Sequence, residues 1–156
     1  MDKHNVQHSY GFQLHQLVEG VKKELLELSE PSVSRRPSPE KWCAKEILGH
    51  LIDSAMNNHQ RFIRAVNSGG LEFPGYDQDH WVRVHRYYDA IWLELIQLWT
   101  SLNRFIAHTL QEISIDDLFT KCWIGDGEPV SLEFLIGDYI RHIRHHLGQI
   151  REVCRL

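Results

Sequence analysis

The first apolar positions of the chain recur at steps of three and four residues, a spacing that places side chains on one stripe of an α-helix. They are Leu14, Leu17, Val18, Val21, Leu25 and Leu28. Pro31 lacks the amide hydrogen that a continuing helix needs, so we predict that this first helix ends there. The segment 30–39 contains three prolines and three serines and is predicted to be a connecting loop.

A second apolar face predicts a helix over about residues 43–67, ended by Ser68 and two glycines. Its members are Ile47, Leu48, Leu51, Ile52, Ala55, Phe62, Ile63 and Val66. The segment 71–81 is rich in proline, glycine and aspartate, and loops of this length are often functional. We expect its aromatic residues, Phe73, Tyr76 and Trp81, to cover a cavity.

The strongest periodicity predicts one continuous third helix over about residues 82–111, with a heptad-like seam. The seam consists of Tyr88, Ile91, Trp92, Leu95, Leu98, Trp99, Leu102, Phe105 and Ile106. Two glycines and Pro129 break the pattern over 113–130, where we predict a short hairpin or an extended turn. Ser131 is a candidate N-cap, with Glu133 in the first turn, for a fourth helix that reaches about residue 153.

Four long amphipathic helices predict an all-α fold, a four-helix bundle with long loops after the second and third helices. Either loop is long enough to cross the bundle, so the order of the helices around it stays open. With 156 residues and 42% hydrophobic residues, we expect one domain over 1–156, with residues 1–12 less ordered.

Composition and charge exclude several classes of function. A formal net charge of −4 does not provide the basic field that nucleic-acid binding requires, so we expect no nucleic-acid partner. No segment approaches the roughly 18 apolar residues that span a bilayer, and the first residues lack the apolar core of a signal peptide. The three cysteines are far apart and form no CxxC motif. We therefore expect a cytoplasmic protein without a membrane partner.

The histidines carry the candidate chemistry, and two of the eleven form an HxxxH pair in the fourth helix. Residues four apart lie on the same helical face, so His142 and His146 can donate two imidazole nitrogens to one metal ion. Both lie at the margin of the apolar face of that helix, whereas His145 points away from it. An isolated HxxxH pair is only half of a site, and a third ligand has to complete it.

His50 is the candidate third ligand, and its surroundings allow two interpretations. It shares a polar stripe of the second helix with Asp53, Ser54, Asn57 and Arg61. Such a stripe is usually a solvated face, and periodicity alone favours that interpretation. Alternatively, the stripe lines a polar cavity where the second and fourth helices meet. Three imidazoles with an open position would then be typical of a catalytic rather than a structural metal site.

The remaining histidines are explained without a metal. His4 and His8 lie in the N-terminal segment, where an HxxxH spacing is more often accidental than chelating. Helix packing or a solvated surface accounts for His15, His59 and His108. His80 and His85 flank Trp81 at the end of the long loop, where packing is favoured over a role in substrate binding.

Two motifs resemble those of a known family. The segment 42–53, WCAKEILGHLID, is similar to the pattern W-S-x-x-E-[IVL]-[LV]-x-H-L-x-[DE], and the segment 142–150, HIRHHLGQI, is similar to H-x-x-H-H-x-x-Q-[IL]. Both are typical of the DinB-like, or YfiT-like, metal-binding four-helix bundles, and the resemblance covers roughly residues 14–153. One departure is Cys43, where the family usually has a capping serine or threonine.

The resemblance implies a metal site formed by His50, His142 and His146. It further implies one divalent transition metal per chain, typically zinc or nickel, with water in the remaining positions, and a homodimer. Imidazole suits Zn, Ni, Cu and Fe alike, so the residues do not choose among these metals.

The same resemblance implies two enzymatic activities, which the fold alone does not separate. In a metal-dependent hydrolase the metal would activate water, with Asp53 orienting the water or accepting its proton. In a thiol S-transferase the metal would activate a low-molecular-weight thiol of the bacillithiol or mycothiol type. A basic pocket formed by Arg61, Arg64 and Arg83 would favour transfer, whereas a pocket of Tyr76, Trp81 and Tyr88 would favour a small apolar or aromatic substrate. A third possibility is a non-catalytic metal-binding or stress-related protein.

Overall fold

The computed structural model describes the backbone of residues 3–155 and the side chains of residues 10–155. Its helices are α1 (Lys3–Leu26), α2 (Glu30–Ser34), α3 (Ala44–Ala65), α4 (Gln78–His85), α5 (Trp92–Glu112) and α6 (Leu132–Cys154). The strands are β1 (Leu71–Phe73), β2 (Lys121–Ile124) and β3 (Val130–Ser131), and single 3₁₀ turns cover Tyr87–Asp89 and Asp117–Phe119. Over the described range, no helix is long and apolar enough to cross a membrane.

The four long helices α1, α3, α5 and α6 form the bundle, which confirms the predicted fold class. α1 packs mainly against α5, and α3 packs against both α5 and α6. Helices that follow each other along the chain, α1 and α3 or α5 and α6, therefore occupy opposite corners. The connections from α1 to α3 and from α5 to α6 therefore cross the bundle, and this arrangement makes α3 a neighbour of both α5 and α6.

The N-terminal part of the chain differs from the prediction in two respects. The first helix begins at Lys3 and already ends at Leu26, ahead of Pro31, while the expectation of less order over residues 1–12 stays a prediction. Met1, Asp2 and the side chains of His4 and His8 lie outside the described residues. The segment predicted as a loop contains the short helix α2, because a proline is tolerated in the first turn, where an amide hydrogen has no helical partner.

The predicted continuous third helix is wrong, because the chain breaks between α4 and α5. Arg86 adopts a left-handed backbone conformation with a φ of 51°, and its guanidinium donates to the carboxylate of Asp89. The apolar pattern continues in register across this break, so periodicity could not reveal it. The seam is also only partly internal: Trp92, Trp99 and Ile106 are buried, whereas Ile91, Leu98 and Phe105 are exposed.

A small three-stranded sheet joins the two long connections. β1 pairs in parallel with β2, with Leu71 opposite Cys122, and β2 pairs antiparallel with β3, which forms the hairpin expected within 113–130. β3 leads directly into α6, whose N-cap is Ser131, as predicted: its hydroxyl accepts a hydrogen bond from the amide of Phe134. The sheet thus holds the end of α3 near the start of α6, so these two helices run antiparallel.

The start of α3 is fixed by a carboxylate rather than by a serine or threonine cap. Cys43 occupies the N-cap position, and its amide donates to Glu46 over 3.0 Å. The guanidinium of Arg36 donates twice to the same carboxylate, at 2.6 and 3.1 Å. These bonds hold the preceding segment over the first turn of α3 and place Trp42 beside the ring of His50, with centroids 5.2 Å apart.

The first half of α3 permits one unusually close approach. A Cβ atom added at Gly49 would lie 2.1 Å from Cδ2 of Tyr87, far inside van der Waals contact. Only glycine at this position lets the Tyr87 ring lie flat against the helix. The Tyr87 side chain is buried there and connects the segment after α4 to α3.

We predict that Gly49→Ala lowers the free energy of unfolding by about 1–3 kcal/mol, because the added methyl group displaces the Tyr87 ring. Gly20→Ala is the matched control, since Gly20 lies exposed in α1 with no atom within 4 Å of an added Cβ. This control should gain up to about 1 kcal/mol from the better helix propensity of alanine. Urea denaturation measures both, and equal stability of the two variants would contradict the packing described here.

Candidate metal centre

The polar stripe of α3 is buried, so its interpretation as a solvated face is wrong. His50 is 1% exposed and Asp53 is fully buried. The other buried polar members of the stripe are Ser54, Asn57, Asn58 and Arg61. The stripe faces α6 and the segment 71–89. This segment covers the polar side chains and shields them from water.

Three imidazole nitrogens converge between α3 and α6. Nε2 of His142 lies 3.1 Å from Nε2 of His50 and 3.0 Å from Nε2 of His146. All three ligand atoms lie within 4.8 Å of one another, and within the described part of the chain no other group of histidine, cysteine or carboxylate side chains meets that criterion. His145 is exposed on the outer side of α6, as its helical angle predicts.

The outer nitrogens of the two α6 histidines have polar partners. Nδ1 of His146 lies 2.7 Å from the side-chain oxygen of Gln149, which can only accept, so this nitrogen carries the proton. Nδ1 of His142 lies 3.3 Å from the hydroxyl of Ser54. A neutral imidazole has one N–H group, so the bond to Gln149 leaves Nε2 of His146 as a bare lone pair directed at the cluster. Such outer hydrogen bonds orient histidines that bind metals.

The cluster favours neutral imidazoles. Burial lowers the pKa of His50 to about 3, and the neighbouring His146 and His142 add to this effect. Burial and then His146 lower the pKa of His142 to about 4. The pKa of His146 is also lowered by burial, although its bond to Gln149 opposes the shift. Neutral imidazole is the form that binds a metal.

The donor set fits one divalent transition metal. Two nitrogens bound to one ion at about 2.0–2.1 Å are separated by about 2.9–3.4 Å for ordinary coordination angles, and the observed separations of 3.0 and 3.1 Å fall in that range. Nε2 of His146 offers its lone pair to such an ion, because the proton of this ring is on Nδ1. Nδ1 of His50 is buried without a hydrogen-bond partner, the one outer nitrogen of the three that lacks support.

Asp53 lies on the same face of α3 but does not join the cluster. Its Oδ1 accepts a hydrogen bond of 2.6 Å from the hydroxyl of Tyr87 and lies 2.9 Å from Nδ1 of His85. Its Oδ2 is buried and has no partner. Burial raises the pKa of the Asp53 carboxyl, while the Tyr87 hydroxyl and His85 act in the opposite direction. One carboxylate oxygen is therefore held in place and the other is free to accept a proton or bind water.

A row of rings covers this part of α3. Tyr76 packs on Trp81, Trp81 on His85, and His85 on Tyr87, with centroid separations of 5.2, 5.8 and 5.2 Å. The expected covering role of Tyr76 and Trp81 agrees with this row, whereas Phe73 packs over Arg61 instead.

Sequence reasoning missed two members of this row. Tyr87 was not singled out, and His85 was set aside as a packing residue. His85 directly precedes Arg86, where the helix breaks, and Tyr87 directly follows it. No periodic pattern along the chain connects either residue to Asp53. Tyr88, which we had considered for the pocket, is exposed and lies under the guanidinium of Arg36, 5.1 Å from the ring centroid.

A surface cleft of about 530 Å³ lies near the cluster, although none of the three histidines lines it. Trp42, whose ring contacts His50, and Gln149, which binds His146, both line it. The remaining walls come from the segment before α3, from the start of α4 and from the end of α6. A small molecule in this cleft would be separated from the histidines by the side chains of Trp42 and Gln149.

Fold and site together define a four-helix bundle with a partly buried three-histidine cluster near a cleft. The profile of the DinB superfamily matches residues 13–150, and the chain belongs to this superfamily.

Relatives and a solved structure agree with this assignment. A protein of Oceanobacillus iheyensis, named provisionally as a metal-dependent hydrolase, is 24% identical over 135 residues, which cover 86% of this chain and 78% of that protein. A protein of Halalkalibacterium halodurans with the same provisional name is 24% identical, covering 80% of this chain and 72% of its own length. The structure of YfiT from Bacillus subtilis, described as a probable metal-dependent hydrolase with an unusual four-helix bundle topology, superposes with a TM-score of 0.85 at 21% identity over 98% of this chain and 87% of YfiT.

We predict that the metal-free protein loses stability as the pH falls from about 6.5 toward 3. In this range the unfolded histidines take up protons, whereas the folded His50 and His142, with pKa values of about 3 and 4, do not. The urea midpoint should be lower at pH 5.0 than at pH 7.5. Asp53, whose folded pKa is raised, acts in the opposite direction. The variant His50→Gln isolates the contribution of this histidine, because its urea midpoint should decrease less between pH 7.5 and pH 5.0. A decrease of equal size in both proteins would contradict the assigned pKa values.

Proposed function

We propose that this chain is a metal-dependent hydrolase that binds one zinc or nickel ion through His50, His142 and His146. The observation that carries the proposal is the convergence of three Nε2 atoms in a partly buried site near a cleft. A metal bound there would lower the pKa of a coordinated water toward neutrality and so supply hydroxide. The provisional names of the relatives support the same class of reaction.

Within this proposal, Asp53 would orient the water at the metal or accept its proton. Tyr87 and His85 hold one of its carboxylate oxygens, and the other has no partner in the described structure. Burial keeps bulk water from competing for that oxygen, and a raised pKa brings the carboxyl closer to the operating pH of a general base. Tyr87 and His85 are positioning residues for Asp53.

The exposed arginines near the cluster do not by themselves support thiol transfer. Arg36 is paired with Glu46, and Arg86 is paired with Asp89. Arg64 is exposed and bonded to Gln60, and Arg83 is exposed beside His80. Arg64 and Arg83 therefore form no basic pocket for the carboxylates of a thiol cofactor, whereas Arg61, the third arginine considered, is buried and its Nε has no hydrogen-bond partner.

The compartment and the oligomeric state stay predictions. Cys43, Cys122 and Cys154 are free thiols, which supports a reducing, cytoplasmic location.

Ile91, Leu98 and Phe105 recur every seven residues along α5 and are exposed, which supports a homodimer. Size-exclusion chromatography with light scattering measures the oligomeric state, and a monomeric mass would contradict the expected dimer.

The metal assignment predicts that His50→Ala and His146→Ala lose stoichiometric metal in protein purified without a tag, because each removes one of three ligands. His145→Ala is the matched control, since this exposed neighbour in α6 should leave metal content unchanged. Elemental analysis measures the metal, and circular dichroism shows whether the variants remain helical. Full occupancy in both ligand variants would overturn the assignment.

The catalytic assignment predicts that Asp53→Asn keeps the metal but lowers kcat by about 10²–10⁴-fold, the usual contribution of a general base. A panel of ester and amide substrates, tested with metal-loaded protein, measures hydrolysis. A parallel panel of thiol cofactors with electrophiles tests the alternative S-transferase activity. Turnover only in the thiol panel would replace hydrolysis by transfer, and undiminished turnover in Asp53→Asn would remove Asp53 from the mechanism.

A further inference from the structure

Arg61 is a buried cation without a counter-charge in the described structure. The residue is only 9% exposed, and none of the ion pairs among the described residues includes it. Its Nε is fully buried and has no hydrogen-bond partner. Its Nη1 makes a single long contact of 3.5 Å with the side-chain oxygen of Asn58. Most of the donor capacity of this guanidinium is therefore unused.

The neighbours of Arg61 do not neutralise it. Its guanidinium carbon lies 5.6 Å from the centroid of the Phe73 ring, a contact that stabilises one face of the cation but satisfies no N–H group. The nearby Tyr76 hydroxyl is not an anion, because burial raises its pKa although Arg61 opposes the shift. A buried charge without a partner is costly, which is why buried cations are usually paired.

Arg61 lies on the same face of α3 as the metal cluster. It follows His50 by eleven residues, which is close to three full turns, so both side chains leave the helix in nearly the same direction. The rise between the two Cα atoms is about 16 Å, and Asn58, which the guanidinium contacts over 3.5 Å, lies one turn nearer to His50. Ser54, which contacts His142, lies on this face between them.

We propose that Arg61 binds an anionic end group of the substrate, a carboxylate or a phosphate, while the reacting bond lies at the three histidines. The fork of N–H donors in a guanidinium matches both groups in bidentate geometry. The substrate is thus an elongated molecule with an anion at one end and a hydrolysable bond roughly 10 Å away, along the axis of α3. This inference rests on the proposed metal-dependent function.

Binding to the zinc-loaded protein tests this proposal without reference to turnover. The probes are monohydroxamates of straight-chain dicarboxylic acids over a range of chain lengths, in which the hydroxamate is a general zinc ligand. Each is compared by calorimetry with its neutral ω-amide and with an ω-phosphonate of equal length. At the matching length we expect an anionic probe to bind at least about tenfold more tightly than the amide. The preferred anion distinguishes a carboxylate from a phosphate substrate.

Substitutions at Arg61 and at a neighbouring arginine test whether Arg61 causes the preference for the anionic probe. Arg61→Gln should abolish the preference for the anionic probe, and Arg61→Lys should retain part of it. Arg64→Gln is the matched control, because Arg64 lies one turn further along α3 and is exposed. It should retain the full preference. A preference that survives Arg61→Gln, or is lost equally in Arg64→Gln, would overturn the proposal.

The wild-type comparison also separates this inference from the proposed function. If anionic and neutral hydroxamates bind equally well at every chain length, the role of Arg61 is wrong and the metal site stands. If neither binds zinc-loaded protein, no open position is available at the metal, and the proposed function fails together with the inference. Neither outcome depends on the folding of a variant.

Discussion

The close contact of α3 and α6 at three imidazoles constrains the rest of the molecule. His50 comes from the second turn of α3 and the other two ligand candidates from the middle part of α6, so the two helices must be neighbours. The connections from α1 to α3 and from α5 to α6 meet this requirement, because each joins helices at opposite corners and together they leave α3 beside α6. The sheet of β1, β2 and β3 then fixes the far end of the same helix pair.

The polar face of α3 is buried, so another part of the chain has to cover it, and the other three long helices do not do so alone. The segment after α3 covers this face with β1, the short helix α4 and the turn that carries Tyr87. Gly49 admits the Tyr87 ring, and the Tyr87 hydroxyl in turn fixes Asp53. The polar residues of α3 thus divide into three groups along one helix: a metal cluster at His50, a positioned carboxylate at Asp53 and an unpaired cation at Arg61.

Sequence reasoning predicted the bundle, the capping of α6 by Ser131 and the orientation of His142 and His146 relative to His145, because each follows from local helical geometry. It could not decide whether His50 was buried, since a polar stripe under an irregular cover has the same pattern as a solvated one. The resemblance to a family, rather than periodicity, supplied that residue. The break at Arg86 and the hydrogen bond between Tyr87 and Asp53 depend on tertiary contacts between distant segments. The apolar pattern along the chain predicts neither of them.

The central claim is that His50, His142 and His146 together bind one metal and leave positions open. X-ray absorption spectroscopy at the edge of the bound metal tests it most directly, because it reports the identity, number and distance of the ligand atoms. The account predicts three imidazole nitrogens at about 2.0–2.1 Å, with oxygen in the remaining positions. A sulfur ligand, or fewer than three imidazoles around the metal, would contradict it.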